Sequence, residues 1–209
     1  MKPAESVPNT PITVDFYFDP ICPWAWMSSR WLLAATEVRD IDVRWRIMSL
    51  AVLNEGKDVP EAYQQLMSLA WGPVRVLHAA RADNGDDIIL PLYNAIGSRI
   101  HLEGRMPDQA LLVEALAELG LPSALAAAAT EESWDEQVRA MHHVGMDPVG
   151  EDVGTPVIHF GEVALFGPVV SPAPKGEAAG LLFDGVYACA RTPGFFELKR
   201  SRNVAPIFD

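Results

Sequence analysis

The sequence predicts an α/β fold made of two halves, a βαβ unit and a ββα unit, with a large helical insertion between them. Two apolar alternations near the N-terminus, a long strand-free stretch, and a hairpin signal followed by a helix near the C-terminus point to it. Ile12, Val14, Phe16 and Phe18 alternate with Thr13, Asp15 and Tyr17, the period of a strand with one more deeply buried face. Asp19-Pro20 stops that strand. Met27, Trp31, Ala34 and Ala35 then recur at three- and four-residue spacing, so a helix starts near Pro23, whose missing N–H and fixed φ suit a first helical position. Ile41, Val43, Trp45 and Ile47 alternate with Asp42, Arg44 and Arg46 as a second strand, giving parallel strands with a right-handed crossover.

From about Pro60 to Asp147 the pattern is helical, with breaks expected at Gly72-Pro73, Asn84-Gly85, Gly104 to Pro107 and Gly120 to Pro122. Ala126 to Ala129 reads as a run of good helix formers. Pro156 to Phe160 and Val163 to Phe166 are short β-like runs around Gly161-Glu162, a hairpin signal, and a last helix is expected from about Gly176 to Arg191. This order is that of a thioredoxin-like fold. Its expected division is 11–50 for the N-terminal half, 51–150 for the inserted helical domain and 151–209 for the C-terminal half.

A chain of 209 residues can bury a sizeable core, and 49% hydrophobic with 21% charged residues is an ordinary globular balance. The net charge of −12 argues against nucleic acid or an anionic membrane surface as main partner, since both need a basic face. No stretch approaches the 18 or so apolar residues of a membrane span, and Met1 to Thr10 lacks the apolar run of a signal peptide. Two cysteines, 22 and 189, make neither a disulfide framework nor a zinc-ligand spacing. A reducing cytoplasm is the expected location.

Cys22 falls where the first strand hands over to the first helix, at the N-cap or one residue from it. Unpaired N–H groups and the positive end of the helix dipole favour an anion there, and such positions lower a cysteine pKa from about 8.5 to roughly 3.5–7.5. An acidic, reactive thiol is therefore expected. Pro156 opens the third strand, where the lack of a ladder N–H is tolerated. In a thioredoxin-like fold a cis-proline at this place faces the reactive cysteine and exposes backbone to an incoming thiol or peptide.

Other side chains weigh less. His142 and His143 diverge by about 100° on a helix and share no face, so no metal site is expected. His101 after Arg99 offers contacts for an anionic cofactor, yet a solvated helix end explains both. Asp15 fits a solvent face, with a proton-relay role as a minor alternative. No phosphate-binding glycine loop is present, and Cys189, in Ala188-Cys189-Ala190, reads as helix core.

Asp19-Pro20-Ile21-Cys22-Pro23-Trp24, Gly154-Thr155-Pro156 and the helical insertion resemble the DsbA-like thioredoxin-fold oxidoreductases. Ser29-Arg30-Trp31, Met48-Ser49-Leu50, Trp71-Gly72-Pro73-Val74-Arg75, Gly150 to Pro156, Phe166-Gly167-Pro168 and Phe196 to Arg200 are similar to its actinobacterial branch, which includes the mycothiol-dependent nitroreductase. The likeness runs from about Val14 to Asp209. It implies Cys22 as nucleophile, Pro156 shaping the thiol site, and Pro23, Trp24, Asn54, Tyr63 and Thr155 in the substrate and thiol pocket. It also implies no tightly bound cofactor, with mycothiol or a similar small thiol as co-substrate.

One departure changes the chemistry. Dithiol members carry a second cysteine three residues after the first, where this chain has Ala25. Two thiols at i and i+3 can meet, and the second resolves the mixed disulfide; alanine cannot. A natural Ala25 implies a monothiol cycle completed by a thiol from solution, whereas an Ala25 introduced in place of cysteine implies a dithiol parent. The expected partners are thus a small-molecule thiol and a small-molecule or disulfide substrate, with no nucleic acid, no membrane, and room for a homodimer. Two rival readings share the fold. One is a thiol-dependent transferase or isomerase resembling kappa-class glutathione transferases and hydroxychromene-carboxylate isomerases, which usually carry serine at the reactive position. The other is a non-catalytic binding module with a vestigial Cys22 and an ordinary thiol pKa.

Overall fold

The computed structural model describes residues 10–150 and 152–208; most of the N-terminal stretch read for a leader, Glu151 of the Gly150 to Pro156 motif, and Asp209 lie outside them. Strand β1 (Ile12–Phe18), helix α1 (Pro23–Thr36) and strand β2 (Ile41–Ile47) form the first unit. A short α2 (Leu50–Leu53) leads into α3 (Glu61–Asn84), α4 (Ile89–Gly97), α5 (Gln109–Glu118) and α6 (Asp135–Met146). Strands β3 (Val157–Phe160) and β4 (Val163–Phe166) and helix α7 (Glu177–Ala190) follow. The sheet order is β2-β1-β3-β4, with β1 parallel to β2 and antiparallel to β3, and β3 antiparallel to β4.

Alternation on β1 decides which helices cover which face. Val14, Phe16 and Phe18 are fully buried in the main core with α1, α3 and α4 residues; Phe18 stacks on Tyr93 at 3.8 Å between ring centroids. Trp31 of α1 is also fully buried, its indole Nε1–H donating to the Ala179 carbonyl at 3.0 Å, which ties α1 to α7. The opposite face is covered too near the end of β1: Tyr17 joins Met48, Leu53, Met146 and Val157 in a second cluster. Gly145 of α6 makes that approach feasible, because a Cβ there would sit well inside van der Waals contact of the Tyr17 ring. Gly145→Ala is expected to destabilise the fold by about 2–3 kcal/mol, read as a lower urea midpoint at unchanged slope.

Two expectations for the insertion are corrected. Gly72-Pro73 does not break the helix; α3 runs through it. Pro73 deprives the Leu69 carbonyl of its helical partner, but Leu69 lies on the exposed side while Val74, Val76, Leu77 and Ala80 beyond it are buried, so burial outweighs the one lost hydrogen bond. The alanine run falls in a 3-10 segment, Ser123–Thr130, with Ala126 and Ala128 buried and Gly72 of α3 at 3.5 Å from Ala129 if it carried a Cβ. Close packing against α3 selects the tighter winding over alanine's α-preference. Among the described residues no helix is long and apolar enough to cross a membrane.

Candidate thiol site

Because β1 and β3 are neighbours in the sheet, the C-terminal end of β1 and the approach to β3 converge. Cys22 is the N-cap of α1, in extended conformation with φ −79° and ψ 113°, and Pro23 is the first helical residue. The Ala25 N–H donates to Cys22 Sγ at 3.4 Å, so sulfur takes the place that an oxygen usually fills at a helix cap. Cys22 Sγ in turn donates to the Thr155 carbonyl at 3.5 Å. The Thr155-Pro156 peptide is cis. Thr155 Oγ1 donates to the Tyr17 carbonyl at 3.1 Å and the Gly167 N–H donates to the Pro156 carbonyl at 2.8 Å, fixing this turn to the sheet on both sides.

The expected acidic thiol is not what this arrangement produces. Cys22 is only 6% exposed and belongs to the main core cluster. Burial pushes its thiol up to about 12; the Ala25 and Trp24 amides and the Arg202 charge act the other way, while the charge of Asp19 adds to the rise. The helix terminus does oppose protonation, but desolvating a thiolate costs more than two amides and a screened cation return. At rest the sulfur is a protonated S–H donor.

Asp19 is a site residue that the sequence pattern showed only as a chain stopper. Its carboxylate is fully buried, accepting from the Ile21 N–H at 3.0 Å and the Leu50 N–H at 2.6 Å, and burial raises its pKa to about 7 against those two hydrogen bonds. It thereby ties the turn before Cys22 to the start of α2. An aspartate followed by a proline is a known local signal for a side chain capping its own turn; the partner on α2 had no sequence signal. His101 is corrected as well. Rather than lying at a solvated helix end, its Nε2–H donates to the Pro20 carbonyl at 2.9 Å, its ring packs by Trp26 and Phe208, and burial lowers its pKa to about 4, leaving it neutral at pH 7. Arg99 ion-pairs with Glu118 at 2.8 Å.

Asn54 caps the end of α2, its Nδ2 donating to the Leu50 carbonyl at 2.7 Å. Burial raises the pKa of the Tyr63 hydroxyl, helped by the charges of Cys22 and Asp19, while the Asn54 side chain acts the other way. Tyr63 therefore lies within electrostatic reach of the sulfur. Trp24 is partly buried, with the Arg202 guanidinium 4.9 Å over its ring. Ala25 is fully buried. Beside Asn54 a cleft of about 540 Å³ runs past Met67, Trp71, Arg75 and Arg139.

The remaining candidates lie elsewhere. Cys189 sits on α7, free and only partly buried rather than in the core. Asp15 does not face open solvent: it pairs with Arg46 at 2.8 Å and pairs in register with β3 at His159. His142 is buried and accepts from the Ser49 N–H at 3.4 Å, while His143 meets Asp147. Among the described residues no group of three histidine, cysteine or acidic side chains could hold a metal ion.

A thioredoxin-like sheet interrupted by helices, with one cysteine at the start of its first helix across from a cis-proline turn, defines a DsbA-like protein of the thiol-disulfide oxidoreductase class. Residues 21–200 match the family described as mycothiol-dependent nitroreductase Rv2466c, and the chain belongs to that family. The uncharacterized protein Rv2286c of Mycobacterium tuberculosis is 31% identical over 197 residues, which span 93% of this chain and 84% of that one. The probable DsbA oxidoreductase SCO1869 of Streptomyces coelicolor superposes with a TM-score of 0.58 at 19% identity, covering 92% of this chain and 95% of that one. The cytosolic disulfide reductase DsbM of Pseudomonas aeruginosa, solved with GSH, gives 0.53 at 22% identity over 84% and 99%. The two superpositions support the DsbA-like fold.

Proposed function

We propose that this protein is a cytoplasmic monothiol reductase in which Cys22 is the nucleophile and mycothiol, or a similar small thiol, is the co-substrate. The observation that carries the reading is the sulfur held between the Ala25 amide and the Thr155 carbonyl with a methyl group, not a second thiol, at residue 25. Cys22 first gives its proton to solvent, and the resulting thiolate attacks a disulfide; the sulfur–sulfur bond of that disulfide breaks, one half leaves as a thiolate, and the other stays on Cys22 as a mixed disulfide. A thiolate from solution then attacks the outer sulfur, releasing a new disulfide and returning Cys22 as thiolate. Pro156 shapes the face from which the substrate sulfur enters, and Pro23, Trp24, Asn54, Tyr63 and Thr155 line it. The inserted segment 51–150, between the halves 11–50 and 151–209, supplies Asn54, Tyr63 and the neighbouring cleft, where the polar part of the co-substrate has room.

Treating reduced protein with mycothiol disulfide and reading intact mass tests this. One mycothiol adduct is expected, dependent on Cys22 and not on Cys189, and removed by excess thiol. Absence of an adduct while mycothiol still binds would overturn the redox cycle.

One observation favours a second reading. A resting thiol pushed up to about 12 behaves like the serine hydroxyl of the related transferases and isomerases, donating a hydrogen bond to the sulfur of a bound thiol that does the chemistry itself. Thiol conjugates or an isomerised product without disulfide turnover would select it.

A further inference from the structure

We propose that Arg202, carried back to the site by the C-terminal segment, is a positioning cation that stabilises the anionic form of the Cys22 sulfur. The segment after α7 is hooked in place: Ser171 Oγ accepts from the Ile207 N–H at 2.8 Å and donates to the Ala205 carbonyl at 3.1 Å, and the Phe208 ring lies 5.7 Å from that of His101, which holds the Pro20 carbonyl just before Cys22. Between these hooks and α7, Arg202 lies over the ring of Trp24, two residues from the sulfur and within its electrostatic reach.

The chain has 28 acidic against 16 basic side chains, and other arginines are taken up by carboxylates, Arg39 by Glu177 and Asp184, Arg46 by Asp15 and Asp86, Arg75 by Asp135. Arg202, like Arg30, Arg191 and Arg200, has no carboxylate partner among the described residues; it is the one of these that lies over Trp24 and whose charge acts on Cys22. Its positive charge is left available to the Cys22 sulfur, which becomes an anion during the reaction.

The inference rests on Cys22 as the nucleophile, and its test needs no mycothiol. The rate of Cys22 alkylation by iodoacetamide is followed against pH in full-length protein, by mass of the Cys22 peptide, for wild type, Arg202→Gln and Arg202→Lys. The other titrating groups that interact with Cys22, namely Asp19 before α1, Tyr63 on α3 and Tyr93 on α4, are common to all three. Loss of this solvent-screened positive charge is expected to make Arg202→Gln react about threefold more slowly at fixed pH, with Arg202→Lys close to wild type. Because Arg202 is exposed, about 1 M salt should abolish most of the difference. Equal rates in all three proteins overturn the proposal. So does an equal slowing in both variants, which would assign the effect to packing on Trp24. Failure of mycothiol disulfide to form an adduct while the threefold difference persists would overturn the proposed co-substrate and leave Arg202 in its role.

Discussion

Cys22→Ser is expected to lose disulfide turnover by on the order of a thousandfold or more, because removing the atom that forms the covalent intermediate leaves only binding and orientation. Stability should hardly move. Serine is a good N-cap, and its oxygen can accept the Ala25 N–H that now donates to sulfur. The measurement pairs steady-state reduction of a small disulfide in the presence of mycothiol with a urea melt of the same preparation. A variant that melts within about 1 kcal/mol of wild type and still turns over would place the nucleophile elsewhere, whereas equal loss of fold and activity would show the thiol to be a packing residue.

The second large effect concerns Asp19 and runs with pH. Its folded pKa of about 7 lies above the ordinary 3.8, so between those values the folded chain keeps a proton that the unfolded chain has released. The stability contributed by the protonated form is complete below about pH 4 and is lost as pH rises through about 7. A shift of this size corresponds to about 4 kcal/mol over the window. Asp19→Asn lacks that titration, and its amide nitrogen turns an N–H toward either Ile21 or Leu50, leaving a buried donor without an acceptor at a cost of about 1–3 kcal/mol. Wild type is therefore expected to exceed the variant by about that amount at pH 4, with the gap shrinking or inverting by pH 8. Urea melts of both proteins at several pH values check it; a gap constant with pH would mean that Asp19 titrates normally.

What could be read from the residues alone follows the range of the forces involved. Strands β1 and β2 and the start of α1 at Pro23 were legible because alternation and a first-turn proline are local signals. Gly161 marked the β3–β4 hairpin for the same reason. Pro73 misled because the burial that holds α3 together comes from distant segments. The position of Cys22 was legible, whereas its protonation was not: a helix terminus can be read locally, but burial depends on what the rest of the chain brings over it. Asp19 reaches an amide 31 residues away and His101 a carbonyl 81 residues away; neither partner leaves a trace in spacing.

Cys22 and Thr155 are 133 residues apart, and that separation bears on how the chain is made. Until Thr155 has been synthesised and β3 has paired with β1, the sulfur has no carbonyl to meet and faces water at a bare helix end. A nascent or truncated chain ending before Pro156 therefore presents the thiol to any oxidant or alkylating agent, while the finished protein withdraws it. Shielding of this one atom marks the moment at which the two halves of the sheet have come together.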